Sequence, residues 1–425
     1  MELITIALLI MAYFVTKNKS IINPVGMYVW IWVPILILSS MGTMNMKIPS
    51  QYAYFIIFLG TLFFIVGYFS PALHFNAKKV NCYVINYKLL IVFEVAAILV
   101  LLPQTITSIG LLLNGYKLGH IHTIVTSSDF SVFYTNRTQD IFYYLFVYPT
   151  MLTGCMLASY DMWFGKKNKL LQICTILMVA MRTVQYGGRA PVFNLVFAYV
   201  IGGLLRVYSQ KNFIKDVIDN EKLSRRIKKM IPILALGVVG MIYSVLSRLA
   251  NGLAGVLSML NEYFAACPII LSEKLVQIGR ESFYTGGLFT VFGFYQYANK
   301  IFETVFNLIG IDVQLPLYNI LYEKAIFIEK GVDIGNGVSN AFVTPFYYFY
   351  EDGWFFGIVI LSFIWGNICK RVYINYIKEV SVKNFYFLLF FLYSICFSME
   401  GSWLRSPQMA LPLIFFFVFT KKYSE

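Results

Sequence analysis

A few charged side chains stand out against a very apolar chain. Arg182 and Arg189 flank Thr183-Val184-Gln185-Tyr186-Gly187-Gly188, and Ala190-Pro191 follows. Arg248, Arg280 and Arg405 lie at or beside the ends of apolar runs, and Glu351-Asp352-Gly353-Trp354 opens another. Arginine presents a planar fork of donors that matches phosphate oxygens. A carboxylate can take the proton of a hydroxyl. Together these groups could hold an anionic leaving group and activate an alcohol. Each also has a structural reading. The arginines can pair with acids or snorkel to lipid phosphate, and Glu351 and Asp352 can cap the helix that follows. Arg189 favours the ligand reading, because Gly187-Gly188 permits a sharp turn and a close approach. Pro191 suits the first turn of the next helix.

Other candidates are weaker. Glu262 and Glu281 are further carboxylates in the same polar region, and Glu94 falls inside an apolar run, where it must face a partner or a polar cavity. His120 and His122 form a pair with no third ligand nearby, so no metal site is expected. No phosphate-binding glycine loop, nucleophile elbow or zinc-protease motif occurs. An enzyme of this kind would draw on substrates already activated.

Membrane helices must position these groups. The 425 residues are 59% hydrophobic and 13% charged, with a mean hydropathy of +0.68; soluble domains carry about 25% charged residues. A span needs roughly 17–20 mostly apolar residues, and about eleven runs with soft ends read as spans, 2–16, 384–399 and 407–420 being short: 2–16, 25–42, 52–70, 88–106, 141–163, 170–186, 191–207, 231–248, 353–369, 384–399 and 407–420. The sequence predicts an all-α polytopic membrane protein, with residues 1–425 forming one membrane domain. The six cysteines show neither a disulfide framework nor a zinc spacing. The first run has no basic segment before it and no cleavage site after it, so it is expected to remain as a span.

Charge sets the expected orientation. With the N-terminus outside, most of the 34 basic residues fall on the other side. They include Lys17, Lys19, Lys78, Lys79, Lys166, Lys167, Lys370, Arg371, Lys421, Lys422 and the basic 206–230 loop. That side is expected to be cytoplasmic, with the C-terminus. The net charge of +13 is explained this way, without nucleic acid as a partner. One long outer loop, 249–352, remains. Within it, 253–272 and 281–298 are expected to lie in the interface, because Asn261, Glu262, Gly286-Gly287 and Gln296 make poor lipid-facing spans. If both crossed instead, Arg280 would move inside. Segments 297–310 and 314–330 read as short amphipathic helices.

Two stretches carry a resemblance. One is Gly187-Gly188-Arg189-Ala190-Pro191 before a span. The other is Asn340-Ala341-Phe342-Val343-Thr344 followed by Tyr347-Tyr348-Phe349-Tyr350-Glu351-Asp352-Gly353-Trp354-Phe355-Phe356-Gly357. With the long late loop, the chain resembles the bacterial oligosaccharide repeat-unit polymerases, the Wzy-type O-antigen polymerase family. The family pattern tends to Asp-x-Gly where this chain has Glu351-Asp352-Gly353, which leaves the register of the carboxylate open. The resemblance implies a membrane-embedded glycosyltransferase of the C type in the bacterial inner membrane. It would transfer glycans from undecaprenyl pyrophosphate to the next lipid-linked repeat unit on the outer face, without metal or other cofactor. A flippase and a chain-length regulator would be partners. Arg189, Arg182, Arg248, Arg280 and Arg405 are then expected at the pyrophosphate, Asp352 or Glu351 at the acceptor, and Asn340, Tyr347 and Tyr348 at the glycan. The rival functions are a lipid-linked oligosaccharide flippase or transporter and an O-antigen ligase-like enzyme.

Overall fold

The computed structural model describes residues 1–16, 22–71, 82–119, 121, 142–213, 252–278, 284–311, 313–339 and 343–423. Among them the chain is mostly helical, and six helices are long and apolar enough to cross a membrane. This is the architecture of an all-α membrane protein. The six are α2 (Pro24–Met41), α3 (Gln51–Phe69), α4 (Tyr87–Leu113), α7 (Ala190–Phe213), α11 (Pro345–Lys378) and α12 (Val382–Cys396, extended by a 3-10 turn to Met399). Further helices lie at other expected spans without being both long and apolar enough to count among the six: α1 (Glu2–Val15), α5 (Tyr148–Trp163), α6 (Lys169–Tyr186) and the pair α13 (Pro407–Ala410) and α14 (Pro412–Phe419). The expected span at 231–248 lies outside the described residues. The polar interruption contains α8 (Gly252–Gln277), α9 (Phe292–Asn307) and α10 (Tyr318–Glu329). The expected apolar stretch 281–298 is not one element. Its described part turns at Gly286 and Gly287, both at positive φ, before α9 begins.

Side-chain caps fix several helix starts. Asn23 accepts the Val25 N–H at 2.9 Å, Ser50 the Ala53 N–H at 3.2 Å, and Asn168 the Leu170 N–H at 3.0 Å. Such caps satisfy amide donors that the helix itself leaves open. At the other end, Gly187 adopts φ 61° and terminates α6, as its sequence context predicts.

The chain divides into two compact units, neither of them contiguous in sequence. The first comprises residues 1–78, 257–378 and 390–411. Its central pairing is α3 against α11. Small residues allow the close approach: a Cβ on Gly67 would lie 2.1 Å from the Phe363 carbonyl oxygen, and one on Gly366 would lie 2.0 Å from that of Phe64. Tyr28 stacks on Phe64 at 4.4 Å, and Trp365 meets Phe64 edge-on at 4.8 Å. The Trp32 and Trp365 indoles donate to Ser398 and Ser394, at 2.9 and 3.3 Å.

The second unit comprises residues 79–256, 379–389 and 412–425. Here α4 packs on α6 and α5 on α7. Ser159 and Trp163 of α5 donate to the Ala198 and Tyr199 carbonyls of α7, at 2.7 and 3.0 Å. Asp161 organises the α5–α6 connection by accepting from Tyr87 at 2.6 Å, Lys167 N–H at 3.1 Å and Asn168 N–H at 2.7 Å. Strands β1 (Cys82–Ile85) and β2 (Thr420–Tyr423) form an antiparallel ladder with Cys82 opposite Tyr423.

Candidate functional site

In the first unit, α11 is not a continuous helix. Gly353 has φ −175° and ψ 32°, and Trp354 has φ 56° and ψ −137°. The part beyond the break, 355–378, is about 36 Å long by helical rise, enough for a hydrocarbon core. The part before it presents Glu351 and Asp352 beside segments of the polar interruption.

The two carboxylates have different surroundings. Asp352 Oδ1 accepts the Thr285 hydroxyl and the Phe289 N–H, the latter at 2.9 Å, while Oδ2 accepts the Thr290 N–H at 2.8 Å. Its own carbonyl accepts the Gly286 N–H at 2.9 Å. Asp352 therefore clamps the 285–290 turn onto α11. Glu351 instead forms an ion pair with Lys324 of α10 through Oε2 and accepts the Tyr347 hydroxyl at 3.1 Å through Oε1.

The 400–406 loop joins this cluster. Ser402 Oγ donates to the Thr290 carbonyl at 3.0 Å, and the Gly293 N–H donates to the Leu404 carbonyl at 2.8 Å. Arg405 donates to the Glu400 carbonyl and lies 3.6 Å from its carboxylate. Burial pushes the Glu400 carboxyl above its ordinary value, although Arg405 pulls the other way. Gly401, at φ 137°, is hemmed in by Arg405, Tyr348 and the Val343 carbonyl. Among the described residues, the buried hydroxyls of Thr290 and Thr344 have no hydrogen-bond partner.

Tyr347 and Tyr348, expected to face a glycan, are packed inward: Tyr347 is 0% exposed and Tyr348 stacks on Phe289 at 4.8 Å. Other rings near the break are exposed, among them Trp354, Tyr284, Tyr52 and Phe356.

The second unit holds the other arginines. The Arg182 guanidinium lies over the rings of Tyr143, Tyr148 and Tyr186, at 5.6, 5.1 and 4.8 Å, and donates to Gln185. Gln185 in turn donates to Gln104 of α4. Arg182 is thus buried at the end of α6, and Arg189 is half-buried between α6 and α7. Gly188 faces the Tyr186 ring, which a Cβ would approach to 2.4 Å. Further along the α4–α6 contact, Thr175 donates to Glu94 Oε1 at 2.7 Å, and Glu94 Oε2 has no hydrogen-bond partner among the described residues.

Of the expected site residues, Glu351, Asp352, Tyr347, Tyr348 and Arg405 come together in the first unit, and Arg182 and Arg189 belong to the second. Arg248, Arg280 and Asn340 lie outside the described residues, as do Glu281, His120 and His122. Sequence reasoning missed Lys324, Thr285 and Thr290. The only local signal for Lys324 is its place in an amphipathic helix, and nothing local points to the two threonines. The chain matches no protein-family model, no curated protein and no solved structure.

Proposed function

We propose that this protein is a membrane glycosyltransferase of the C type, with about eleven spans. It joins oligosaccharide repeat units carried on undecaprenyl pyrophosphate into O-antigen, capsular polysaccharide or exopolysaccharide. The observation that supports this reading best is the pairing of Glu351 with Lys324 and Tyr347, beside a clamped Asp352 and a loop bearing Arg405. The resemblance implies the bacterial inner membrane, and the charge distribution along the chain supports an orientation with the N-terminus and the 249–352 loop outside.

In this reading Glu351 takes the proton of an acceptor sugar hydroxyl. The hydroxyl oxygen then bonds to the anomeric carbon of the donor, and the bond from that carbon to the pyrophosphate oxygen breaks. The electron pair leaves with the lipid pyrophosphate, whose added charge Arg405 stabilises. Lys324 and Tyr347 fix both oxygens of Glu351 before substrate arrives, which limits misorientation. Asp352 serves as a positioning residue, because two of its three donors are backbone N–H groups of the 285–290 turn, which cannot swing aside, whereas the partners of Glu351 are side chains.

Replacement by the isosteric amide tests the assignment. In a bacterial strain whose surface polysaccharide depends on this gene, Glu351→Gln is expected to lower polymerisation roughly 10²- to 10⁴-fold. The ladder of chain lengths should collapse to single repeat units. A long ladder at normal protein level would overturn the role of Glu351. Arg189→Ala tests the role that the resemblance gives this residue: collapse of the ladder is expected, and a normal ladder at normal protein level would overturn it.

Flipping of a lipid-linked glycan is the second reading, and the buried Glu94 favours it, since intramembrane carboxylates mark transport paths. Purified protein in vesicles separates the two: transfer makes longer glycans, whereas flipping only moves them between leaflets.

A further inference from the structure

Trp354 combines an unusual backbone with an exposed ring. Its φ of 56° and ψ of −137° belong to a strained region that a bulky L-residue rarely adopts. Such strain persists only where the surroundings hold it. Here the indole N–H donates to the Tyr350 hydroxyl, which meets the Tyr52 hydroxyl at 3.0 Å. The indole centroid lies 6.2 Å from the Tyr284 ring. Despite these contacts, Trp354 is 48% exposed, Tyr284 47% and Tyr52 42%.

The position of these rings relates them to the carboxylates. Trp354 lies two residues after Asp352, and Tyr284 immediately precedes Thr285, which donates to Asp352. The aromatic pair is therefore built across the two segments that Asp352 clamps together. With the indole N–H given to Tyr350, the edge still carries the Tyr284 and Tyr52 hydroxyls rather than aliphatic groups. A flat ring face with hydrogen-bonding groups at its rim matches a pyranose, whose C–H face is apolar and whose edge bears hydroxyls. An acyl chain would use the faces and leave the rim unmatched.

We propose that Trp354 and Tyr284, with Tyr52 at the rim, form a sugar-stacking subsite for the glycan handled beside Glu351 and Asp352. It takes the place of the buried Tyr347 and Tyr348 in glycan contact. The subsite rests on the glycosyltransferase reading only for its ligand class.

The test uses the full chain in lipid nanodiscs. The probe is the repeat-unit oligosaccharide released by mild acid from the lipid-linked pool of the producing cells. Binding by calorimetry is expected to weaken on the order of 10-fold in Trp354→Ala and to change less than about twofold in Trp354→Phe, which keeps a stacking ring. Tyr284→Ala, which leaves the Trp354–Tyr350–Tyr52 chain intact, should weaken it several-fold and guards against misfolding of the tryptophan variant. Brominated acyl-chain lipids should quench wild type and Trp354→Phe equally. Unchanged binding in Trp354→Ala and Tyr284→Ala, no saturable binding by wild type, or lipid quenching that disappears with Trp354 overturns the subsite. Weakened binding in a protein that makes no polymer would uphold the subsite and reject the glycosyltransferase reading. Polymerisation with unaltered binding in the variants would do the reverse.

Discussion

Glu351 and Asp352 are adjacent in sequence, yet their surroundings give them different work. Asp352 accepts two backbone N–H groups and a hydroxyl, so an amide in its place would turn donors toward donors. Asp352→Asn is expected to destabilise the protein by about 3 kcal/mol, since bonds to a charged acceptor are lost and buried amides go unmatched. Thermal unfolding in detergent measures this, and an unchanged midpoint would refute the clamp. Arg182 offers a second contrast. Its planar group stacks on three tyrosine rings while donating to Gln185, a geometry that lysine cannot copy. Arg182→Lys should therefore behave like Arg182→Ala in the polysaccharide ladder and in stability. Full activity of the lysine variant would show that only the charge counts.

At the scale of elements, the contact of α3 with α11 depends on glycine. Either Gly67→Ala or Gly366→Ala puts a methyl within about 2 Å of a backbone carbonyl, which cannot retreat as a flexible side chain could. Each is expected to lower the unfolding midpoint and the yield of folded protein, by an amount equivalent to roughly 1–3 kcal/mol. Gly110→Ala in α4 is the control, because nothing lies within 4 Å of that position. Equal behaviour of all three variants would mean that the helices have room to separate. Much of this level was legible in the sequence. The caps Asn23, Ser50 and Asn168 and the terminator Gly187 act on residues within a turn of themselves, so their effect can be read locally. The break in α11 was not legible as a break. Glu351-Asp352-Gly353-Trp354 reads as a helix start, and the chain has in fact already completed two turns from Pro345.

For the whole molecule, the exposed claim is orientation. Replacing the native cysteines and placing single ones at Gly310, in the polar interruption, and at Lys422, near the C-terminus, allows labelling with a maleimide that cannot cross membranes. Intact spheroplasts are expected to label Gly310→Cys, and Lys422→Cys only after lysis. The opposite pattern would reverse the orientation and remove Glu351 from the outer face, where the proposed substrates are.

The sequence by itself determined where the apolar helices lie. Lipid offers no partner for a backbone amide, so each crossing segment must announce itself by its own length and composition. Tertiary structure decided which polar groups meet. Lys324 reaches Glu351 across 27 positions, and the donors to Asp352 lie 62 to 67 positions away. Nothing within a turn of either carboxylate encodes those partners. The same holds for the rings: Tyr347 and Trp354 lie in one motif, but only folding buries the first and exposes the second.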